Sequence, residues 1–304
     1  MRRLASLLAA AFLLGSATGA AAALPREYTL PGAAVFPEGV TLRPGTDQFF
    51  VSSTSDGTIF RGVLGRAAMK PFLAPGAHGR TNAVGLRATR THLIVAGGVT
   101  RRVFVYDLRS GRLVRRFSTG ESGLVNDVAI APDGDAYVTD SARGLVFRIR
   151  ADALTERKRA IARLRPFVRL SDTPVGSYSN GIVAAGRRYL LVVGTASGVL
   201  ARVDVEAKRV RPVDLGGASI TAGDGLARSG RTLYAVNSAS RVTEIGLSRD
   251  WLRGSVRRHI TSTRLHFPTT VAIAGARLLV VNSQFDKRGG SPLLPFSVSA
   301  LRRP

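Results

Sequence analysis

The sequence predicts an all-β chain folded as a six-bladed β-propeller, with the N-terminal strand closing the last blade. Three observations carry that expectation. A unit consisting of an oxygen-bearing residue, a small residue, apolar-x-apolar, a polar turn and a β-run ending in Ser, Thr, Asn or Gly recurs six times. Successive copies start 44, 44, 54, 44 and 45 residues apart, and a period near 45 residues with four short strands is the size of a propeller blade. A β-run without a copy of its own, Tyr28–Leu30, precedes the first unit, whereas the sixth is one run short. Pairing the two would remove an exposed sheet edge.

Residues 1–23 are read as an export signal: Arg2 and Arg3 form a basic start, Leu4 to Leu14 an apolar core, and Ala20 to Ala23 a small-residue cleavage region. Cleavage is expected after Ala22 or Ala23, giving a secreted or periplasmic, envelope-located protein. An uncleaved anchor is the alternative, disfavoured because the Gly/Ala/Ser-rich second half is weakly apolar. No transmembrane domain is expected in the remaining chain, and residues 24–304 form the propeller.

The copies are "EGVTLRPGTDQFFVSS" from Glu38, "NAVGLRATRTHLIVAGG" from Asn82, "NDVAIAPDGDAYVTDS" from Asn126, "NGIVAAGRRYLLVVGT" from Asn180, "DGLARSGRTLYAVNS" from Asp224 and "TTVAIAGARLLVVNS" from Thr269. Their runs are β-branched or aromatic and bounded by Gly, Pro, Asp or Arg turns. The third copy shows a whole unit, with strands at Val128–Ile130, Ala136–Asp140, Leu145–Ile149 and Phe167–Leu170 and a hairpin turn at Pro132–Asp135. Its ten extra residues lie around "TERKRAIARLRP", 155–166, whose charges and Ala/Leu spacing suit a short surface helix; it is read as a decorated blade loop, with a partner-binding helix as the alternative. Trp251 is assigned to packing.

The chain has no cysteine, so its stability must come from burial. The formal charge of +24 falls to +22 without Arg2 and Arg3. The basic residues are nearly all Arg and are scattered through every segment, which favours a solvated basic surface over a nucleic-acid stripe. No nucleic-acid partner is expected; an acidic envelope surface is a possible one.

In a propeller the residue just before each innermost strand lies near the channel mouth, so Glu38, Asn82, Asn126, Asn180, Asp224 and Thr269 should converge there. Every one offers an oxygen. Taken singly, Asn-Gly or Asp-Gly is a turn signal, but the hairpins of these units come later, at Pro132–Asp135 or Gly186-Arg187 for instance. Two carboxylates among neutral oxygens suit a divalent cation, and an oxygen-only set suits Ca²⁺. Zinc would need His or Cys, and the ring has neither.

The Glu-Gly of "FPEGV", Asn-Asp of "VNDV", Asn-Gly of "YSNGI" and Asp-Gly of "GDGL" together resemble the gluconolactonase and regucalcin (senescence-marker-protein) family, more distantly diisopropylfluorophosphatase and paraoxonase. The resemblance covers residues from about 25 to 304. It implies metal ligation by Glu38, Asn180 and Asp224, with Asn126 binding metal or substrate. Sugar lactonases of this family often carry an Arg two residues before that Asn, where Leu124 stands here; a less polar lactone or ester becomes as plausible a substrate as an aldonolactone.

The expected function is therefore an exported Ca²⁺-dependent hydrolase of a small-molecule lactone or related ester. Glu38, Asn126, Asn180 and Asp224 are the metal candidates, and Asn82, Asn126 and Thr269 the substrate-binding ones. Asp224 is the candidate base or nucleophile, Asp127 a second carboxylate tuning the ring, and His266, three residues before Thr269, a candidate proton shuttle. His78, His92 and His259 have no comparable placement. Gly-x-Ser-x-Gly, His-Glu-x-x-His and Gly-Lys-Ser/Thr signatures are absent. The alternative is a non-catalytic propeller that binds a ligand or envelope partner around a structural metal.

Overall fold

Short apolar runs punctuated by tight turns favour strand over helix, and among the described residues the regular structure is almost entirely antiparallel strand. The computed structural model describes residues 24–156, 158 and 160–304; the signal expected over residues 1–23 lies outside them. Among the described residues no helix is long and apolar enough to cross a membrane.

Strand β1 (Glu27–Leu30) stands before the first copy. The first unit is then β2 (Pro37–Leu42), β3 (Gln48–Ser53), β4 (Ile59–Val63) and β5 (Arg66–Leu73). The second is β6 (Leu86–Ala88), β7 (His92–Ala96), β8 (Arg102–Asp107) and β9 (Leu113–Ser118). The third opens with β10 (Val125–Ile130), β11 (Ala136–Asp140) and β12 (Leu145–Ile149); α1 (Ala151–Thr155) and β13 (Ala162–Arg163) intervene before its fourth strand, β14 (Pro166–Arg169). The fourth is β15 (Ser179–Ala185), β16 (Tyr189–Gly194), β17 (Leu200–Asp204) and β18 (Arg209–Pro212). The fifth is β19 (Gly223–Ser229), β20 (Thr232–Asn237), β21 (Arg241–Leu247) and β22 (Gly254–Thr261). The last copy supplies β23 (Pro268–Ala274), β24 (Arg277–Asn282) and β25 (Phe296–Arg302).

Within each unit, consecutive strands pair as an antiparallel meander. The last unit has only three strands of its own, and β1 adds to its edge with Tyr28 opposite Val298. A parallel pairing of Thr29 with Ala68 on β5 then joins the first and last units into one eight-stranded sheet. The Tyr28 side chain fixes this junction: it is fully buried, donates its hydroxyl to Leu64 O at 2.8 Å, and meets the Phe49 ring edge-on at 4.8 Å.

The opening strands β2, β6, β10, β15, β19 and β23 contact one another in that order, and β23 returns to β2. They line one channel. The apolar cores lie between neighbouring units rather than inside any of them. One joins Val138 and Phe147 to Ile94 and Val105, another joins Leu191 to Leu233 and Ile245, and a third bridges the chain ends by packing Val51 and Phe49 on Leu279 and Val298. Second strands such as β16 therefore face apolar neighbours on both sides, which is why "LLVV" is an unbroken buried run and not an alternation. Outermost strands such as β22 face solvent and are polar.

The insertion near residue 160 forms little helix. Helix α1 ends at Thr155, and Ala162 and Arg163 pair in parallel with Phe117 and Ser118 of β9, strapping the third unit to the second. A two-residue bridge to a preceding edge is a long-range pairing that local propensity does not carry.

Tyr28→Ala is expected to lower stability by about 3–5 kcal/mol, read from urea unfolding of the chain beginning at residue 24. Deleting residues 24–30 should expose the β25 edge and produce concentration-dependent association in light scattering. A monomeric deletion variant with unchanged melting would show that β1 does not close the structure.

Candidate functional site

Five of the six opening strands carry a β-bulge at their start; β6 pairs with β7 in unbroken register. Pairing on β2 jumps from Pro37↔Ser53 to Val40↔Val51, so Glu38 and Gly39 face a single residue of β3. The same jump sets off Asn126-Asp127, Asn180-Gly181, Asp224-Gly225 and Thr269-Thr270. A bulge re-aims a side chain that the pleat would otherwise send into a core. The oxygen-bearing residues thus sit at the second position of the opening strand rather than before it; Asn82 lies in the segment leading into β6.

Glycine in the second bulge position has a packing reason. A Cβ on Gly181 would stand 2.2 Å from Asp224 O, and one on Gly225 2.7 Å from Thr270 Cα. The Asn-Gly and Asp-Gly pairs reverse nothing; they let neighbouring opening strands touch.

Five of the six ring residues line one cavity of about 230 Å³: Glu38, Asn82, Asn126, Asn180 and Asp224. Each contributes a buried oxygen with no hydrogen-bond donor: Glu38 Oε2, Asp224 Oδ1 and the Oδ1 atoms of the three Asn. The amide orientations are fixed from behind. Asn126 Nδ2 donates to Ser141 Oγ at 2.7 Å, Asn180 Nδ2 to Thr195 Oγ1 at 3.2 Å, and Asn82 Nδ2 to Thr54 O. Flipping any amide would aim an N–H at the cavity and leave its outer acceptor unpaired.

Burial drives the carboxylates toward their protonated forms. Asp224 is pushed up to about 8, first by desolvation and then by the Asp127 charge, against hydrogen bonds from Asn180 and the Gly225 N–H. Glu38 is held well above the usual range by desolvation and by Asp224 and Asp127, against a bond from Thr270. Asp127 is also raised by desolvation, opposed by Arg87 and by backbone N–H groups. Both its oxygens are occupied, Oδ1 by Val128 N at 2.8 Å and Oδ2 by Ile182 N at 3.1 Å.

No group of three or more His, Cys, Asp or Glu able to hold a metal forms among the described residues. The donor set is instead two carboxylates and three amide oxygens, converging without hydrogen-bond partners in a buried space. Hard, neutral and anionic oxygens of this kind fit Ca²⁺, and a cation would relieve the repulsion between Glu38 and Asp224.

Thr269 and His266 are not among the cavity-lining residues. Thr269 is fully buried and donates its hydroxyl to Glu38 O at 2.9 Å, so it braces the neighbouring strand. The His266 N–H is bonded to Asn282 Oδ1 at 3.1 Å. The cavity wall also holds residues that the repeat pattern does not single out: Val84, Val99, Phe285 and Arg288, together with Leu124. Arg288 bonds Thr54 Oγ1 and lies over the Phe36 and Phe285 rings at 4.9 and 4.6 Å. A cationic group thus occupies the cavity wall, which at position 124 is apolar. The readable signal was loop length: 13 residues separate β24 from β25, against three between β20 and β21.

No protein-family model matches the chain, and no curated protein is similar to it in sequence. Solved structures are. The Malassezia sympodialis allergen Mala s 1 has a TM-score of 0.69 at 15% identity, over 91% of this chain and 96% of its own. Virginiamycin B lyase from Staphylococcus aureus gives 0.60 at 10% identity, over 92% and 99%. The WD40 repeats of RRP9 give 0.63 at 10% identity, over 92% and 98%. At these identities the likeness shows the fold, a β-propeller.

The raised carboxyl pKa values set a pH dependence with a definite sign. Between about pH 4, where free Asp and Glu ionise, and about 8 for folded Asp224, the native chain holds protons that the unfolded chain has released. Stability in EDTA should therefore be highest below this window and fall across it as pH rises. Saturating CaCl₂ should flatten the slope. Urea unfolding at pH 4.5, 6.5 and 8.5 measures it, and a flat profile in EDTA would mean that the ring carboxyls ionise freely in the folded chain.

Proposed function

We propose that the protein is a six-bladed β-propeller of the gluconolactonase type, exported by the pattern at residues 1–23, that binds Ca²⁺ and hydrolyses a lactone or related ester. One observation carries this reading: five buried oxygens, four from opening strands and one from the segment leading into β6, line one cavity with no donor to satisfy them. Buried polar atoms without partners are rare in native proteins and call for an occupant.

Glu38, Asp224, Asn180 and Asn126 would hold the cation, with Asn82 at the edge of the set. When bound, it supplies positive charge that polarises a substrate carbonyl, stabilises developing negative charge on oxygen and lowers the carboxyl pKa values. Asp224, once ionised, takes a proton from the water attacking the carbonyl carbon and returns one to the leaving alkoxide oxygen. Val84, Val99 and Leu124 pack the apolar part of the substrate and exclude bulk water. Arg288, held over two aromatic rings, offers N–H donors to a carboxylate or other acceptor at the far end of the molecule. A lactone or ester with an apolar body and an acidic or strongly accepting tail fits these walls.

The occupied state of Asp127 and the position of His266 leave Asp224 as the single candidate base, which favours the second reading, a non-catalytic propeller around a structural metal. Metal analysis of the chain from residue 24 and a panel of sugar, aliphatic and aryl lactones separate the two. The hydrolase reading expects one Ca²⁺ per chain and an activity that falls at least 100-fold in Asp224→Asn. Stoichiometric calcium with no hydrolysis would leave the binding reading; no divalent metal at all would remove both.

Arg288→Met provides a separate check on substrate class. Calcium content should stay unchanged while KM rises about tenfold or more for acid-bearing substrates and little for neutral ones. An equal effect on both classes would show that Arg288 shapes the wall without recognising charge.

A further inference from the structure

The opening strands begin at the oxygen ring and run the length of the channel, so their last residues meet at its other end. There, two adjoining cavities of about 200 and 300 Å³ share two walls, Arg87 and Arg228. Arg87 is on β6 and Arg228 on β19, strands three places apart in a ring of six and hence on opposite sides of the channel. The surfaces between them come from residues such as Ala88, Ala129, Ala184, Ala227 and Ile273, which are small or apolar.

Both guanidinium groups are held in place. Arg87 Nε donates to Val128 O on β10 at 3.0 Å, and Arg228 Nε donates to Ala184 O on β15 at 2.8 Å. Arg228 also bonds Gly230 O and lies over the Trp251 ring at 5.2 Å. The remaining donors, both terminal nitrogens of Arg87 and one of Arg228, have no acceptor among the described residues, and neither arginine is in an ion pair. Arg80 differs: that side chain is fully buried, with Nε on Gly57 O at 2.6 Å, one terminal nitrogen on Ala74 O at 2.8 Å and the other on the Tyr106 hydroxyl, so each of its nitrogens already has an acceptor. No carboxylate lines either cavity. Asp127, the acid that Arg87 influences, already accepts two backbone N–H bonds. Burial depresses the Arg228 pKa, with no acidic neighbour raising it again.

We propose that this end of the channel is an anion site, in which Arg87 and Arg228 clamp a phosphate-type oxyanion from opposite sides. Two immobilised guanidinium forks, spare donors and an apolar surround without a competing acid match a tetrahedral dianion, which arginine binds through paired N–H···O bonds. The same chemistry is offered by free phosphate, a phosphomonoester or the headgroup of an anionic lipid. The site does not depend on what occupies the oxygen ring.

Calorimetric titration of the chain from residue 24 with inorganic phosphate, at constant ionic strength, tests it. One saturable site is expected, weakened about tenfold or more by Arg87→Gln or Arg228→Gln. The double variant Arg209→Gln/Arg211→Gln, which removes two charges from the outer strand β18, should bind as the wild type does. A second measurement needs no variant: phosphate should protect Arg87 and Arg228, but not Arg209 or Arg211, from phenylglyoxal. Flotation with vesicles containing phosphatidic acid, with and without competing free phosphate, distinguishes a lipid headgroup from a free anion. Absence of a saturable site, or equal losses in the channel and outer-strand variants, would overturn the proposal and leave only diffuse attraction to a basic surface.

Discussion

The crowding of six strands around one axis is the constraint on which the rest of this structure depends. Neighbouring units come so close at the axis that a carbonyl of one occupies the space a Cβ would need on the next: Asp224 O on β19 stands 2.2 Å from a Cβ built on Gly181 of β15, and Val84 O, just before β6, 2.5 Å from one on Gly39 of β2. Hydroxyls join strands where ladder bonds are lost at the bulges. Ser52 donates to Val84 O, Thr139 to Asn180 O, Thr195 to Gly223 O and Thr269 to Glu38 O, each reaching from one unit to the next. These contacts explain two features of the repeat that propensity alone does not, the glycine after the ring residue and the hydroxyl residues ending the second strand.

The same crowding creates the site. In five units the extra residue of a bulge at the start of the opening strand re-aims one side chain out of the regular pleat. Once there, an oxygen is out of water and out of reach of the ladder. Leaving a buried polar atom unpaired costs about 1–3 kcal/mol, and five such atoms together approach the whole stability of an ordinary domain, about 5–15 kcal/mol. The outward bonds of the three Asn amides hold their oxygens inward in spite of this. A fold indifferent to ligands would relieve that cost by letting the amides turn or by placing apolar residues at these positions.

Much of the architecture was legible because the repeat is local. The third unit's strands at Ala136–Asp140 and Leu145–Ile149 have the bounds expected of them, the hairpin at Pro132–Asp135 has Gly134 at φ 91°, and the spare run at Tyr28–Leu30 pairs where the last unit lacks a strand. The repeat register alone groups Glu38, Asn82, Asn126, Asn180 and Asp224, and these five line one cavity. What escaped the sequence depends on contacts between distant segments. Thr269 shares the register but spends its hydroxyl on Glu38 O, because its strand is the one that meets the first unit. Arg288 reaches the cavity from a loop with no counterpart in the other units, so a search for equivalent positions passes over it. The strap at Ala162–Arg163 pairs with a neighbouring unit's edge, which no local pattern specifies.

Asp127 stands where three other units have glycine: Gly39, Gly181 and Gly225 hold the same second bulge position. Glycine there allows close approach, whereas Asp127 reaches across and accepts the Ile182 N–H with Oδ2 while Oδ1 takes its neighbour's Val128 N–H. It thus adds a charge-assisted strand-to-strand contact and places a carboxylate within electrostatic reach of Glu38 and Asp224. Its charge raises the pKa of both, while Arg87 acts on Asp127 in the opposite sense. The channel consequently carries an ordered sequence of charge along its axis: the oxygen ring, then Asp127, then the two arginines. In a low-dielectric passage such an arrangement is felt over longer distances than the same charges on the surface. The scattered basic residues give the chain its net charge of +24, but most of those described face solvent and are screened. The polarity inside the channel is set by these few groups, fixed by the strands that crowd the axis.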